Sequence, residues 1–390
     1  MAVLMTLRVR RIEDGLPMQI QILEGRIVQT ELLPVEAEAL EGIPFIGPGL
    51  FDIQINGYQG NWFCDEHLTI DTVFDVSRAL VNNGVSMFFP TLITCSAEAM
   101  EHGLNVINQA CQSDFLINQI IQGCHLEGPY ISAEDGPRGA HPVQHVRPAS
   151  WNEFQRWQEV SGNRVRLVTL APEAGNACEF IEAAVASGVK ISLGHTAASP
   201  QQIRAAVDAG ATLSTHLGNG CPAMIHRHQN VFWPQLEDDR LATSVIADGW
   251  HVPAEFLRTV WKCKGHQRTI LTSDVSGYGG CLPGRYESPN VAVEVLEDGR
   301  IVVADQRQYL AGSGALTGDC VLHMQRTCGL ELKEAWNLAS ALPAKMFEIP
   351  CGGIDVGDEA TLTLFRIEEG KFVPIGSMVK GVFITGEFTG

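Results

Sequence analysis

Five apolar runs in this chain end on residues that could bind a metal or move a proton. IIQGCHLEG carries Glu127, VKISLGHT carries His195, ATLSTHLGN carries His216, TILTSDVSG carries Asp274, and GLFDIQING carries Gln54 and Asn56. One carboxylate and two imidazoles, with a fourth position left to water, make a standard donor set for catalytic zinc or a related divalent ion. An aspartate beside such a site can take a proton from water and return it to a leaving group. Each residue also has an ordinary use. A strand-end histidine is commonly structural, and Asp274 would cap a following helix well. Gln54 and Asn56 stand one residue apart, where one large class of metal hydrolases has a His-x-His pair serving a second, more buried metal. Amides are poor zinc ligands, so that second position is expected to be empty and the two amides to act as hydrogen-bonding braces.

These residues can meet only if their strands share an axis. The middle of the chain repeats a short apolar strand followed by a helical stretch; the remaining strands are VSMFFPTLIT, VRLVTLAPE and ATSVIADGWH. Intervening segments such as IDTVFDVSRALVNNG and SPQQIRAAVDAG have helical apolar spacing and close on glycine. Eight such units with near-continuous apolar strands predict an α/β fold, a (β/α)8 TIM-type barrel whose strand ends carry the chemistry. The two chain ends read differently. Period-two runs turn at Glu24-Gly25 and again at Glu369-Gly370. Residues 1–47 together with 352–390 are therefore expected to form a small β-sandwich domain, with the barrel spanning 48–351. NVAVEVLEDGRIVVAD, around Asp298-Gly299, predicts a hairpin inserted after the eighth strand, either a flap over the barrel mouth or a surface decoration.

With 390 residues, 45% hydrophobic and 18% charged, the chain can bury a large core. Its formal net charge of −18 repels nucleic acid and anionic membranes as bulk partners. The 11 scattered cysteines include no CxxC, which fits free thiols in a reducing cytosol. MAVLMTLRVRR has its apolar stretch before its charges and is too short for a secretory leader, and no run approaches the ~18 apolar residues of a membrane span. A cytoplasmic location is expected.

An ordered set of motifs resembles the N-acetylglucosamine-6-phosphate deacetylase family of the amidohydrolase superfamily. The set comprises PGLFDIQINGYQG, HLEGPY, GAHP, LAPE, GHT, STHLGNG, IADGWHV, TSD and LAGSGALT, and it covers nearly the whole chain. The resemblance implies one divalent metal per subunit, zinc first with iron, manganese or cobalt as alternatives, held by Glu127, His195 and His216. It implies Asp274 as general base and then general acid, and His141 as the group that polarises an acetamide carbonyl. Asn219 and the Gly220 backbone would hold the sugar or its phosphate, with His251 and Arg227 as further phosphate partners. Arginines like Arg227 reach across a dimer interface in that family, so a homodimer is implied. The implied reaction releases acetate from N-acetylglucosamine 6-phosphate.

The chain departs from that pattern after the sixth strand. The family usually has an aromatic residue where Gly218 sits and a small-Met pair where Gly220-Cys221 sits. It follows the arginine with an acidic residue, proline and glycine, whereas Arg227 precedes His228, Gln229 and Asn230. His226, Arg227 and His228 form either an anion site or a solvated cluster. Trp250 is placed either to stack on a sugar face or in the core. Other N-acetylhexosamines, N-acyl amino acids and cyclic amides stay open as substrates. A scaffold without catalysis would have lost the ligands that are present here.

Overall fold

Eight strands buried almost end to end form the centre of the molecule: Leu50–Ile55, Val85–Ile93, Cys124–Glu127, Val165–Leu170, Lys190–Leu193, Leu213–Ser214, Ala242–Ile246 and Thr269–Thr272. They are seen in a computed structural model that describes residues 4–34, 42–287 and 292–384, apart from the side chains of 308 and 309. Every neighbouring pair is parallel and the spatial order follows the chain order. Parallel strands covered on the outside by helices bury both faces, which is why their sequences read as apolar runs rather than alternating ones. The first and last strands close the barrel. Ile55 bridges Val275, and the Asp52 carboxylate accepts from the Thr272 hydroxyl at 2.6 Å and the Ser273 amide at 2.8 Å.

The outer helices start and stop where their ends dictate. Ile70–Asn82 begins with the Thr69 hydroxyl accepting from Thr72 N, and Pro200–Asp208 with a reciprocal Ser199–Gln202 capping box. Beyond them, Gly84 and Gly210 take positive φ of 90° and 117°, and the chain turns back into the next strand. The outer helices also carry large buried rings. Trp157 stacks on Tyr130 with centroids 5.7 Å apart and is fully buried; truncation to alanine there costs about 3–5 kcal/mol.

Strands from both chain ends share one seven-stranded sheet: Met5–Arg11, Pro17–Leu23, Arg26–Leu32 and Phe45–Pro48 join Leu362–Glu368, Lys371–Val379 and Val382–Ile384. The expected turns are present, with positive φ at Glu24, Gly25, Glu369 and Gly370. The sheet folds over on itself, since Ala360 N donates to Gly25 O and Gly381 N to Ala360 O, each at 2.8 Å. The sandwich so formed encloses Leu7, Val9, Ile20 and Ile22 from one end of the chain with Leu362, Leu364 and Met378 from the other. The expected strand MVKGVFITGEF is described only as far as Ile384; its remainder, and residues 1–3 and 35–41 of the same expected domain, lie outside the described residues.

The insertion after the eighth strand is larger than the sequence indicates. Four strands form it, Gly284–Tyr286, Val293–Val295, Ile301–Val303 and Gln306–Leu310, in consecutive antiparallel order. The outer two, GRY and QRQYL, lack the valine and isoleucine content of the inner pair, so only the inner pair announces itself; the beginning of that run, up to Val291, lies outside the described residues. The turn at Gly299 rests on Gly314, where an added Cβ would stand 1.9 Å from the Gly299 carbonyl oxygen.

Candidate active site

Glu127 ends the third barrel strand, His195 follows the fifth, His216 the sixth and Asp274 the eighth. His195, His216 and Asp274 adopt left-handed backbone, at φ 50°, 30° and 50°. That conformation costs a non-glycine residue about 1–3 kcal/mol, and its concentration at three strand ends of one barrel marks a site held under strain by the surrounding fold.

The donors converge. Glu127 Oε1 lies 3.0 Å from His195 Nε2 and 2.9 Å from His216 Nε2, and the two imidazole nitrogens are 3.2 Å apart. His195 Nδ1 faces the Pro137 carbonyl at 2.9 Å. A carbonyl only accepts, so Nδ1 carries a proton and donates to it, which leaves Nε2 as the atom available to a metal, facing Glu127 and His216. Lone pairs and a carboxylate gathered this closely repel unless a cation stands among them. The same crowding raises His216 above its ordinary value: burial works against its charge, but Glu127 and Asp274 outweigh it. Ligands on a tetrahedral ion at about 2.0 Å stand about 3.3 Å from one another, close to the separations found here. The donor set fits one divalent metal.

His141 approaches from another side. Its Nε2 is 4.0 Å from Glu127 Oε2, its ring centroid is 4.2 Å from that of His195, and its Nδ1 meets Thr94 Oγ1 at 2.8 Å. Burial, then the neighbouring His195, pushes its pKa down to about 3, so the ring is neutral. Glu127 behaves oppositely. Burial would raise its carboxyl, but the His195 and His216 rings beside it hold it well below the usual carboxylate range. Asp274 is pushed up to about 6 by burial and by the Glu127 charge.

The two amides of the first strand join these carboxylates. Gln54 Nε2 donates to Glu127 Oε1 and to Asp274 Oδ1, both at 2.9 Å, and Asn56 Nδ2 donates to Asp274 Oδ1 at 2.8 Å. Their N–H groups point at oxygen, so they orient the carboxylates and offer no metal-binding lone pair there.

Residues 45–388 match the amidohydrolase family model. The chain belongs to the amidohydrolase family. It is 34% identical over 354 residues to N-acetylglucosamine-6-phosphate deacetylase of Homo sapiens, covering 86% of this chain and 84% of that protein. It is 31% identical over 347 residues to N-acetylgalactosamine-6-phosphate deacetylase of Escherichia coli O157:H7, covering 88% and 89%. Among solved structures, a variant N-acetyl-D-glucosamine-6-phosphate deacetylase of Mycobacterium smegmatis, in complex with N-acetyl-D-glucosamine-6-phosphate, superposes with TM-score 0.85 at 27% identity, over 98% of this chain and 100% of that one.

In this amidohydrolase the expected sugar and phosphate residues are scattered in exposure. Asn219 is half-buried and donates its side-chain N–H to the His216 carbonyl at 3.2 Å. Gly220 has φ 54°, and a Cβ there would lie 2.9 Å from His195 Nδ1, so the close approach requires glycine. Gly218 has its own neighbours: a Cβ would lie 2.8 Å from Phe256 and Val252, side chains that occupy the space beside it. His251 donates its Nδ1–H to Asp248 Oδ2 at 2.7 Å. Trp250 is 54% exposed, which excludes the core; Arg300 from the insertion lies 4.3 Å over its ring, and both residues line a cavity of about 400 Å³ together with His251, Gly312 and Gly314. Arg227 is exposed, in a surface stretch from Ala223 to Gln229, and its guanidinium makes no hydrogen bond or ion pair among the described residues. His226 spends its Nδ1 on the backbone amides of His228 and Gln229.

Several supporting residues were not singled out by sequence reasoning. Thr94 and the Pro137 carbonyl orient imidazoles, Asp248 orients His251, and Glu173 holds the turn after His195 through Ala197 N at 2.6 Å and the Thr196 hydroxyl. Asp248 and Glu173 do sit inside the quoted motifs IADGWHV and LAPE. Thr94 carries no such signal, because its partner His141 is brought to it by the fold alone.

Proposed function

We propose that this amidohydrolase hydrolyses the acetamide of an N-acetylated hexosamine 6-phosphate, N-acetylglucosamine 6-phosphate first, to acetate and the amino-sugar phosphate. The observation that carries this is the convergence of Glu127, His195 and His216 beside a buried Asp274; relatives with deacetylase names align over most of the chain. Glu127, His195 and His216 would hold one divalent ion, zinc in the first instance, with iron, manganese and cobalt compatible with the same donors. When bound, the ion supplies Lewis-acid polarisation of the acetamide carbonyl and an acidified water.

Asp274 does the proton work. With a pKa near about 6 it is mostly ionised at neutral pH yet easily protonated, which suits a group that takes a proton from water and gives it to the departing amine. Gln54 and Asn56 both donate to Oδ1, and so hold that oxygen in place and direct the carboxylate's remaining lone pairs elsewhere. His141 is the electrophile. With the Thr94 hydroxyl proton turned to Nδ1, the neutral ring keeps Nε2–H to donate to the carbonyl oxygen as negative charge builds on it. Asn219 and the Gly220 backbone bind the sugar, and His251 and Arg227 bind the phosphate. Because Arg227 is exposed and without a partner among the described residues, a second subunit's site is its natural target, and the protein works as a homodimer. All 11 cysteines are free, in keeping with a cytoplasmic enzyme.

The competing sugar is N-acetylgalactosamine 6-phosphate, named for a relative 31% identical to this chain. An acetate-release assay on the zinc-loaded protein decides among N-acetylglucosamine and N-acetylgalactosamine, each with and without 6-phosphate, and N-acetyl amino acids. Turnover is expected only with the phosphosugars. Activity confined to N-acetyl amino acids, or no acetate from either phosphosugar, sinks the proposal.

A further inference from the structure

Asp52 is fully buried on the first barrel strand, and among the described residues no cationic side chain bonds to it. Four donors surround its carboxylate. Oδ1 accepts from Gln54 N at 3.0 Å and the Thr272 hydroxyl at 2.6 Å; Oδ2 accepts from Ser273 N at 2.8 Å and the Thr317 hydroxyl at 2.6 Å. The carboxylate is thus saturated by two hydroxyls and two backbone amides. Those two amides flank the contact on which the proposed proton transfer depends. Gln54 is the residue whose side chain reaches Asp274 Oδ1, and Ser273 immediately precedes Asp274. One residue further on, Asn56 N donates to Val275 O at 3.0 Å. Asp274, in its left-handed backbone, is therefore gripped on both sides: by a backbone pair above and by the Asp52 carboxylate below.

We propose that Asp52 is a positioning residue for the reaction, fixing where the Asp274 carboxylate and the Gln54 amide stand relative to each other. The proposal rests on the deacetylase reading for its kinetic consequence. A carboxylate is required because both oxygens must accept from a backbone N–H. In an Asp52→Asn variant the amide nitrogen replaces one oxygen, whichever way it is turned. The neighbouring hydroxyl can rotate to accept from it, but Gln54 N–H or Ser273 N–H cannot, and that strand end is pushed away. A shift of this kind, about an ångström at the reacting groups, costs on the order of 10²-fold in rate.

The test uses zinc-loaded full-length protein, with rates normalised to folded, metal-containing enzyme. Asp52→Asn is expected to lower kcat by about 10²-fold while KM stays within about twofold. Combined with Gln54→Ala, it should cost less than the product of the two single losses, since both act on the same contact. A kcat within twofold of the parent, or a strictly multiplicative double variant, overturns the proposal. Should Asp52→Asn fail to fold, Thr317→Val removes one donor and leaves both backbone contacts; a several-fold lower kcat at unchanged KM supports the proposal, and an unchanged kcat overturns it. Amide hydrogen exchange gives a readout independent of any substrate. Exchange at Gln54 and Ser273 should accelerate in Asp52→Asn while Leu126 and Val168 stay protected, whereas uniform acceleration across the barrel strands reveals a purely structural role and overturns the assignment. If the parent itself releases no acetate, the deacetylase reading falls, and the exchange data still report on the lock.

Discussion

The strand-end cluster and the surface stretch that follows the sixth strand are opposite kinds of structure. Glu127, His195, His216, Gln54 and Asp274 are packed together in the barrel, and polar contacts at or below 3.2 Å join Glu127 to both imidazoles and, through Gln54, to Asp274. Residues 223–229 are exposed throughout, with Met224 90% exposed and Arg227 making no side-chain bond among the described residues. The first region is complete within one chain and admits little change. The second faces solvent, and it is also where the chain leaves the pattern of the deacetylase family it resembles. On the proposed function, chemistry and substrate choice are separable here. A substitution in one region should move one kinetic constant and spare the other.

The largest effect should come from the buried half. Asp274→Asn is expected to lower kcat by about 10³-fold or more while metal content per chain stays the same, measured by elemental analysis beside acetate release. Retained turnover would remove Asp274 from the proton path. Next comes the surface half. A lost charge-assisted phosphate contact is worth about 1.5–3 kcal/mol, so Arg227→Ala should raise KM for the phosphosugar by about 10- to 100-fold, with kcat little changed and the unphosphorylated sugar unaffected. An equal loss on both sugars would break the distinction between the two regions. Smallest is Thr94→Val, which removes the partner of His141 Nδ1 without touching a carboxylate. We expect kcat to fall by about 5- to 10-fold, as for one neutral hydrogen bond of about 1 kcal/mol, at unchanged metal content. A change confined to KM would place Thr94 with the recognition half instead.

Most of the barrel was legible because its signal is local. Each of the eight strands is a buried apolar run, and capping residues such as Thr69 and Ser199 mark where helices begin. The glycine turns of the terminal sheet were equally plain at Glu24-Gly25 and Glu369-Gly370. The residues that converge at the strand ends could be named in advance because a closed parallel barrel brings those ends to one axis. What stayed hidden depends on distance in sequence. Thr94 meets His141 across 47 residues and Asp52 meets Thr317 across 265, and no periodicity encodes such pairs. Backbone strain was also silent, since His195, His216 and Asp274 carry none of the glycine signal that usually announces positive φ. The insertion was half visible, because only its inner strands are rich in valine and isoleucine.

The sharing of one sheet by the two chain ends has a consequence for synthesis. Phe45–Pro48 pairs along one side with Arg10 and Arg11, but its other side waits for Leu362–Phe365. At roughly 5–20 residues per second, a ribosome makes that partner about 15–60 s later. For that interval a strand edge with Ile46 and Phe45 lies open, and in its last part, once Thr269–Thr272 is made, it stands beside a complete set of barrel strands; it is the kind of edge that invites pairing between nascent chains. A chain stopped between Asp274 and Leu362 would carry every candidate catalytic side chain and still keep that edge for good, so such late truncations should be lost to aggregation or proteolysis rather than to a chemical defect.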